Sequence, residues 1–520
     1  MVGTVDVVDG RTLRDLWGDL ARESGERTFL VFEDRAGSVV RYTYAQFAAS
    51  IHRTANLFRS LGVRRGDAVA VHLNNCPELL QCLFAVAEIG AVLVPLHPRS
   101  TLDECADVIG RVGALVVVCE RPGLELYGRG AGRIDVPHVL VAREPGRLAE
   151  PGVLRFEQSR DAHPAELVDP VPLSADDVAG IVFTSGTTAR PKGVVLTHEN
   201  LLFSGRFVAW QARLTADDRL LTTMPACHVN FQLNALMPVL HAGATLVAVE
   251  RYSASRFWHQ VRHYGATVVQ GIAMIVRTLL LQPVAAAERD HHVRDILYYL
   301  PISDAEKERF EERFAVRLLN SYGTSEMLVG VLTDPPEGER RWPSVGQVGP
   351  GYEARVADEA GQELPPHTVG EIQVRGEPGR TLMKEYFQDP EATARLYDAD
   401  GWMHTGDLGY VDADGWYYFL DRRTNLIKRA GENVSPAEVE ALLARHPDIV
   451  EAAVVGVPDP IHDEAVKAVV VLAAGATTTA QEIQDYCCTR LARFKVPTIV
   501  EIVDALPRTS SFKVATSDLR

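Results

Sequence analysis

The chain has 520 residues, enough for more than one domain, and its 46% hydrophobic and 23% charged residues are those of an ordinary soluble globular protein. A formal net charge of −16 argues against a nucleic-acid footprint or an anionic membrane surface, so any anionic ligand must be held by local cations and backbone N–H groups. No apolar run is long enough to span a bilayer, and the start MVGTVDVVDGRTLRDLW lacks the basic residues and apolar core of a signal peptide; a cytoplasmic protein is expected.

In chain order, DAVAVHL (67–73) reads as a strand, CPELLQCLFAVAEIG as a helix and AVLVPLHP as a strand. A helix from Thr101 and the strand ALVVVCE (114–120) follow. The rhythm then repeats through AGIVFTS, a helix after His198, RLLTTMP, a helix after Phe231, ATLVAVE, ATVVQGI and VRLLNSYG. Near-continuous apolar strands separated by helices predict parallel sheets covered on both faces. From about Gly346 to Leu420 short strands with Gly and Asp turns predict a small β-barrel or sheet. Beyond it, a helix after Ser435–Pro436, the strands IVEAAVVGV and AVKAVVVLA and a helix from Thr478 form a separate unit. The fold class is therefore α/β: a large N-terminal domain, residues 1–422, of two βαβ-type subdomains plus a small barrel, hinged to an α+β C-terminal domain, residues 423–520. The seven cysteines (76, 82, 105, 119, 227, 487, 488) show no metal-ligand spacing and read as reduced core thiols.

TSGTTARPKG (184–193) packs hydroxyls, two glycines, an Arg and a Lys directly after the apolar run AGIVF. Gly186 and Gly193 permit close backbone approach, Ser185, Thr187 and Thr188 donate, and Arg190 and Lys192 bring charge; such a loop suits a polyphosphate. It is not a Walker loop, since nothing here reads G-x-x-x-x-G-K-[ST].

This string resembles the phosphate-loop signature of the adenylate-forming superfamily, which includes acyl-CoA ligases, peptide-synthetase adenylation domains and firefly-type luciferases. NSYGTSE (320–326) is similar to its adenine and magnesium motif, HTGDLG (404–409) to its ribose motif, and DRRTNLIKRAGENVSPAEVE (421–440) to its hinge and following loop. PRTSSFK (507–513) lies where the family keeps a C-terminal catalytic lysine. The resemblance covers nearly the whole chain, and RTANLF, NCPE, RRWPS, IKRAGENVS and FKVP look like crotonobetaine/carnitine–CoA ligases.

The resemblance implies a two-step ligase using ATP, Mg²⁺ and coenzyme A. A carboxylate attacks the α-phosphorus, giving acyl-adenylate and pyrophosphate; a thiol then attacks the acyl carbon and expels AMP. By the same resemblance Thr184, Ser185, Gly186, Thr187, Thr188 and Lys192 cradle the β- and γ-phosphates. Tyr322, with Gly323 and Thr324, takes the adenine, Ser325 meets the α-phosphate and Glu326 holds Mg²⁺. Asp407 and Arg422 hold the ribose. His228 gates the carboxylate pocket beside Asn230 and Phe231. Lys428, Arg429, Ala430 and Gly431 line the thiol channel after rotation of the C-terminal domain about a hinge near Arg423, and Lys513 serves the adenylation half-reaction. The expected partners are a small carboxylic acid or its acyl-adenylate and coenzyme A, with a second copy of the chain as a candidate homodimer partner, and neither nucleic acid nor membrane.

Three departures matter. The amino-acid-activating relatives keep a carboxylate where this chain has Asn230, and burying an ammonium without a counter-charge is costly, so an apolar acid is expected, with Phe231, Leu233 and Leu236 beside it. In LPISD (300–304), Pro301, Ile302 and Ser303 replace a small Gly-rich turn against adenine, so contacts on that side should differ. Phe512 precedes Lys513 where the family has glycine, and no basic residues follow closely. Two readings stay open there: Phe512 faces solvent and Lys513 works normally, or adenylation is impaired while thioester formation stays intact. Loading of a carrier-protein thiol and a non-catalytic nucleotide-binding protein are the alternatives.

Overall fold

The computed structural model describes residues 10–128, 133–146, 150–184, 191–299, 302–422, 427–429, 432–459, 463–509 and 514–520. Among them are two large sheets. One runs in the order Gln347–Val348, Leu332–Thr333, Leu318–Tyr322, Asp295–Tyr299, Val268–Ile272, Arg219–Thr222, Thr245–Val249, Thr28–Glu33, Val39–Thr43. The other runs Glu385–Tyr386, Lys192–Thr197, Val178–Thr184, Val92–Pro95, Ala68–His72, Val116–Cys119, His138–Val141, Val153–Arg155.

The expectation of parallel sheets holds for the centres and needs correction at the edges. Val39–Thr43, Leu332–Thr333, Gln347–Val348, Lys192–Thr197 and Glu385–Tyr386 all pair antiparallel. Four of them follow their partner strand, or a neighbour of it, in sequence without a helical crossover of the kind a parallel pair needs, whereas Glu385–Tyr386 joins the sheet edge from far along the chain. Central strands are apolar on both sides. In Ala68–His72, Val69 and Val71 join one hydrophobic cluster while Ala68 and Ala70 join another on the opposite face. The helix Pro77–Glu88 is buried almost all round, consistent with its near-continuous apolar sequence.

Helix starts follow local chemistry. Thr43 with Gln46, Thr101 with Glu104, Thr197 with Asn200, Ser303 with Glu306 and Thr479 with Glu482 each form a reciprocal cap. Ser303, flagged as a departure near adenine, thus serves the helix Asp304–Phe314, and Ile302 is buried; Pro301 lies outside the described residues.

Residues 353–422 form a four-stranded antiparallel sheet, Glu353–Ala357, Gly370–Arg375, Met403–Val411, Tyr417–Arg422. The last part has its own sheet, Glu432–Val434, Ile427–Arg429, Asp463–Leu472, Ile449–Asp459, with Ile499–Ile502 parallel to Asp463–Leu472. Its apolar residues gather in separate clusters on the two faces of that sheet. Among the described residues no helix is long and apolar enough to cross a membrane.

Candidate active site

The polyphosphate-type string begins and ends on two antiparallel strands. Val178–Thr184 pairs with Lys192–Thr197, Thr184 facing Lys192; the strand starts inside the string 184–193 and runs past it. Ser185, Gly186, Thr187 and Thr188 of the loop lie outside the described residues. The strand pair is anchored from behind. Thr197 donates to the Gly379 carbonyl (2.6 Å), Asn200 donates to the carbonyls of Arg380 (2.9 Å) and Leu382 (2.8 Å), and Phe387 N–H donates to Gly193 (2.7 Å).

That anchoring brings Tyr386 beneath the loop's lysine. Lys192 Nζ sits 4.7 Å from the centre of the Tyr386 ring, and the Tyr386 hydroxyl donates to Glu326 Oε1 at 2.7 Å. Three segments distant in sequence thus converge on one cation and one carboxylate. Burial first, then the negative Glu326, pushes the Tyr386 phenol up, so it stays a donor. Among the described residues no cluster of three or more His, Cys, Asp or Glu could hold a metal. A single half-buried carboxylate fits Mg²⁺ all the same, because that ion binds through one or two carboxylates plus substrate phosphates and keeps several waters.

Glu326 follows a turn that only glycine can make. A Cβ on Gly323 would lie 2.0 Å from the Val329 carbonyl oxygen. Thr324 and Ser325 beside it are half-buried, and Ser325–Met327 forms a single 3₁₀ turn.

Tyr322 ends the strand Leu318–Tyr322 and is buried, its ring against Phe419 with centroids 5.9 Å apart. Its hydroxyl donates to Asp407 Oδ2 at 2.6 Å, while Arg422 Nε donates to Asp407 Oδ1 at 3.0 Å. The adenine and ribose motifs are therefore bonded to each other directly. Asp407 sits at a bulge in Met403–Val411, where Gly406 has φ +71° and Gly406 N–H donates to Glu371 (2.8 Å). Thr405 takes the Asp407 N–H (3.0 Å) and donates to the Ile372 carbonyl (2.6 Å). Burial pushes the Asp407 carboxyl up against the pull of Arg422 and Tyr322.

The residues expected on the acyl side fall into two groups. His228 caps the helical segment that begins at Val229, its Nδ1 accepting the Asn230 N–H (3.1 Å), and the segment passes through a π turn at Gln232–Leu236. His228 and Asn230 are half-buried. Phe231, Leu233 and Leu236 are at most 1% exposed and belong to the core, so the apolar character inferred from them is a packing signal. What faces Asn230 is another amide: Gln270 Nε2 donates to its backbone oxygen (3.0 Å) and to its Oδ1 (3.1 Å), and Thr222 donates to Gln270 (2.5 Å). One turn on, Tyr299 donates to Asn234 Oδ1 (3.1 Å). No charge enters this set of bonds.

A cavity of about 330 Å³ opens where strands of both large sheets end, lined among others by Asn74, His97, Arg99, Cys227, Arg251 and Tyr252. Asn75 ties its base together, donating to Met224 (2.8 Å) and Val249 (3.2 Å) and accepting from Ala226 N–H (2.7 Å). Glu250 beside it bonds Arg35 (2.7 Å) and Arg143 (2.8 Å). Burial opposes its charge, yet those two arginines hold its carboxyl below the usual range. Nothing in the sequence pattern marks this cavity, Tyr386 or Gln270, because each acts only through partners far along the chain.

Arg429 donates to the carbonyls of Phe494 and Val496 (both 3.0 Å), anchoring its own domain. The side chain of Lys428, and Ala430, Gly431, Phe512 and Lys513, lie outside what is described.

The AMP-binding enzyme family model matches residues 19–387, and that of the AMP-binding enzyme C-terminal domain matches residues 438–513. The crotonobetaine/carnitine–CoA ligase of Salmonella paratyphi A (strain ATCC 9150 / SARB42) is 46% identical over 518 residues, 99% of this chain and 100% of the relative. Among solved structures, ATP-bound MatB from Rhodopseudomonas palustris matches with a TM-score of 0.86 at 30% identity, covering 97% of this chain and 98% of that one. Apo MatB, at the same identity and coverage, gives 0.74, so the arrangement here is closer to that of the ATP-bound form. The O-succinylbenzoate coenzyme A synthetase MenE of Bacillus subtilis with AMP gives 0.82 at 29% identity, covering 97% and 98%.

Proposed function

The chain belongs to the AMP-binding enzyme family and is an ATP-dependent acid–thiol ligase that forms acyl-CoA, and from that premise we propose which residues carry each half-reaction and what kind of acid it takes. The observation that carries the reading is the direct bonding of Tyr322 and Arg422 to Asp407, with Lys192, Tyr386 and Glu326 gathered by a second set of contacts.

In the first half-reaction a carboxylate oxygen attacks the α-phosphorus of ATP and the α–β bridging bond breaks, pyrophosphate leaving with the electron pair. Positioning and charge neutralisation supply most of the rate. Asp407, its carboxyl aimed by the Gly406 turn, takes the ribose hydroxyls, with Arg422 beside them. Thr184, Ser185, Gly186, Thr187, Thr188 and Lys192 hold the β- and γ-phosphates, and Ser325 meets the α-phosphate. Glu326, oriented by Tyr386, would hold Mg²⁺, which neutralises phosphate charge when bound. Lys513 bridges the carboxylate and the α-phosphate. In the second half-reaction the thiol sulfur attacks the acyl carbon and AMP departs. The domain 423–520 then turns against 1–422, so that residues 428–431 line the thiol path. The cationic cavity at Arg99 and Arg251 suits the polyanionic end of coenzyme A.

The acid is read as uncharged outside its carboxylate, because Asn230, Gln270, Asn234 and Tyr299 present neutral amides and a phenol. A second reading, a betaine, is favoured by the 46% identity to crotonobetaine/carnitine–CoA ligase. A panel of neutral and quaternary-ammonium acids decides between them: preference for the cationic acids overturns the reading of Asn230. Two reaction mixtures test Phe512. Acid with ATP and coenzyme A, and pure acyl-adenylate with coenzyme A, are expected to yield thioester equally; product from the second alone means that adenylation is impaired. Adding a pantetheinylated carrier protein tests the other acceptor. The seven free cysteines, six of them buried, support a reducing cytosol, and sedimentation tests the homodimer.

A further inference from the structure

A chain of hydrogen bonds runs through the neutral wall around Asn230, and backbone groups fix its direction at both ends. The strands Arg219–Thr222 and Val268–Ile272 are parallel with Leu221 beside Val269, so Thr222 and Gln270, one step on, lie side by side. Both are buried, 0% and 1% exposed, where a polar atom left without a partner is costly. The Thr222 oxygen accepts the Met224 N–H (3.1 Å), and its own proton goes to Gln270 Oε1 (2.5 Å). Gln270 Nε2 in turn faces two oxygens of Asn230, the backbone carbonyl (3.0 Å) and Oδ1 (3.1 Å). A carbonyl can only accept, so the Gln270 amide cannot turn over without setting oxygen against oxygen. With that nitrogen fixed, turning the Asn230 amide over would set NH₂ against NH₂. Asn230 is therefore held with its oxygen toward Gln270 and its NH₂ on the other side.

That NH₂ has no partner among the described residues, and Asn230 is half-buried. Four residues on, Asn234 repeats the arrangement: its Oδ1 accepts from the Tyr299 hydroxyl (3.1 Å), and its NH₂ likewise has no partner among the described residues. The wall thus holds two amides whose oxygens are used within the protein and whose donors are not. A wholly apolar acid closing over such a donor strips its water and returns no hydrogen bond, whereas an acid with an oxygen at that place restores one. We propose that Gln270 is a positioning residue that locks the Asn230 amide with its NH₂ toward the acid, and that this acid, uncharged outside its carboxylate, carries a ketone, ether or hydroxyl oxygen within reach of that NH₂. The inference rests on the reading that the acid lies against Asn230 and adds what the acid must offer there. The family's phosphate and ribose contacts play no part in it, because selectivity for the acid is set by this wall alone.

The test compares matched acids on the full chain, so that damage to the fold, which lowers both members of a pair alike, drops out of the ratio. Methoxypropanoate against pentanoate replaces one methylene by an ether oxygen, and levulinate against methylpentanoate replaces one methyl by a ketone oxygen. The parent enzyme should prefer the oxygen-bearing member of at least one pair by about tenfold in kcat/KM. Gln270→Met keeps the bulk but frees the Asn230 amide, and should bring that ratio to within about threefold of one. Asn230→Asp keeps the acceptors for Gln270 but has no NH₂, and should abolish the preference. If Gln270→Met does not fold, Gln270→Leu reads the same role. Preference for the all-carbon member in both pairs, or no preference in either, overturns the inference about the acid. A parent-like ratio in the Gln270 variant overturns the positioning role. The two levels of failure are separable. If the parent shows no preference while Asn230→Asp still changes kcat/KM for neutral acids, the acid lies at residue 230 and only the acceptor falls. If Asn230→Asp changes neither rate nor ratio for any acid, the placement of the acid falls with it.

Discussion

The proposed nucleotide side and the proposed acyl side of this site are built on opposite principles. On the nucleotide side, charged groups from distant segments are cross-braced: Asp407 by Tyr322 and Arg422, Glu326 by Tyr386, Lys192 over the same ring. On the proposed acyl side Gln270 bonds Asn230 and Tyr299 bonds Asn234, two neutral pairs that bring no charge. The contrast teaches where selectivity resides. Under the proposed assignment, a common polyanion is gripped by formal charges held ready, whereas the variable acid is discriminated by what the wall refuses to neutralise.

The sharpest blow to this contrast is Asp407→Asn. It removes the charge from a buried carboxyl that Tyr322 and the exposed Arg422 both bond, and pyrophosphate exchange should show kcat/KM for ATP falling by about 100-fold, near 2.7 kcal/mol, with KM for the acid unchanged. Activity within a factor of a few of the parent would mean that the ribose is held elsewhere. On the opposite wall, Asn230→Asp should reverse the preference, raising kcat/KM for a quaternary-ammonium acid relative to a neutral one by about tenfold or more. An unchanged ratio would place the acyl group away from residue 230. Tyr386→Phe keeps the ring under Lys192 but frees Glu326, and a several-fold higher Mg²⁺ requirement, about 1 kcal/mol, should appear in a titration of the metal at fixed ATP. The smallest effect belongs to neither wall: Ser435→Ala removes a cap and a bond to Asp421, and should lower the stability of the C-terminal unit by about 1 kcal/mol, read from its thermal unfolding.

How far sequence carried the argument differs by residue. The helix Pro77–Glu88 and the caps at Thr101 and Ser303 follow from local composition and spacing, which is why they were readable. The strand Lys192–Thr197 is not legible in the sequence because its first two residues belong to the string TSGTTARPKG, and its pairing with the strand before that string shows only in the structure. Phe231, Leu233 and Leu236 look alike whether they line a pocket or fill a core, and here they fill it. Asp407, Glu326 and Tyr322 were recognisable as motifs, but their mutual bonding was not, because hydrogen bonds between residues 85 apart leave no trace in spacing. Tyr386 carried no motif at all and emerges only from the antiparallel pairing of Glu385–Tyr386 with Lys192–Thr197.

The turn at Gly323 has a consequence for engineering. With the Val329 oxygen 2.0 Å from where any Cβ would sit, the backbone there is a keyhole cut to the width of a hydrogen atom. A saturation library across 318–331, sorted for folded protein before any assay of turnover, should return glycine alone at 323. Attempts to retune adenine recognition must therefore start from the neighbouring strand.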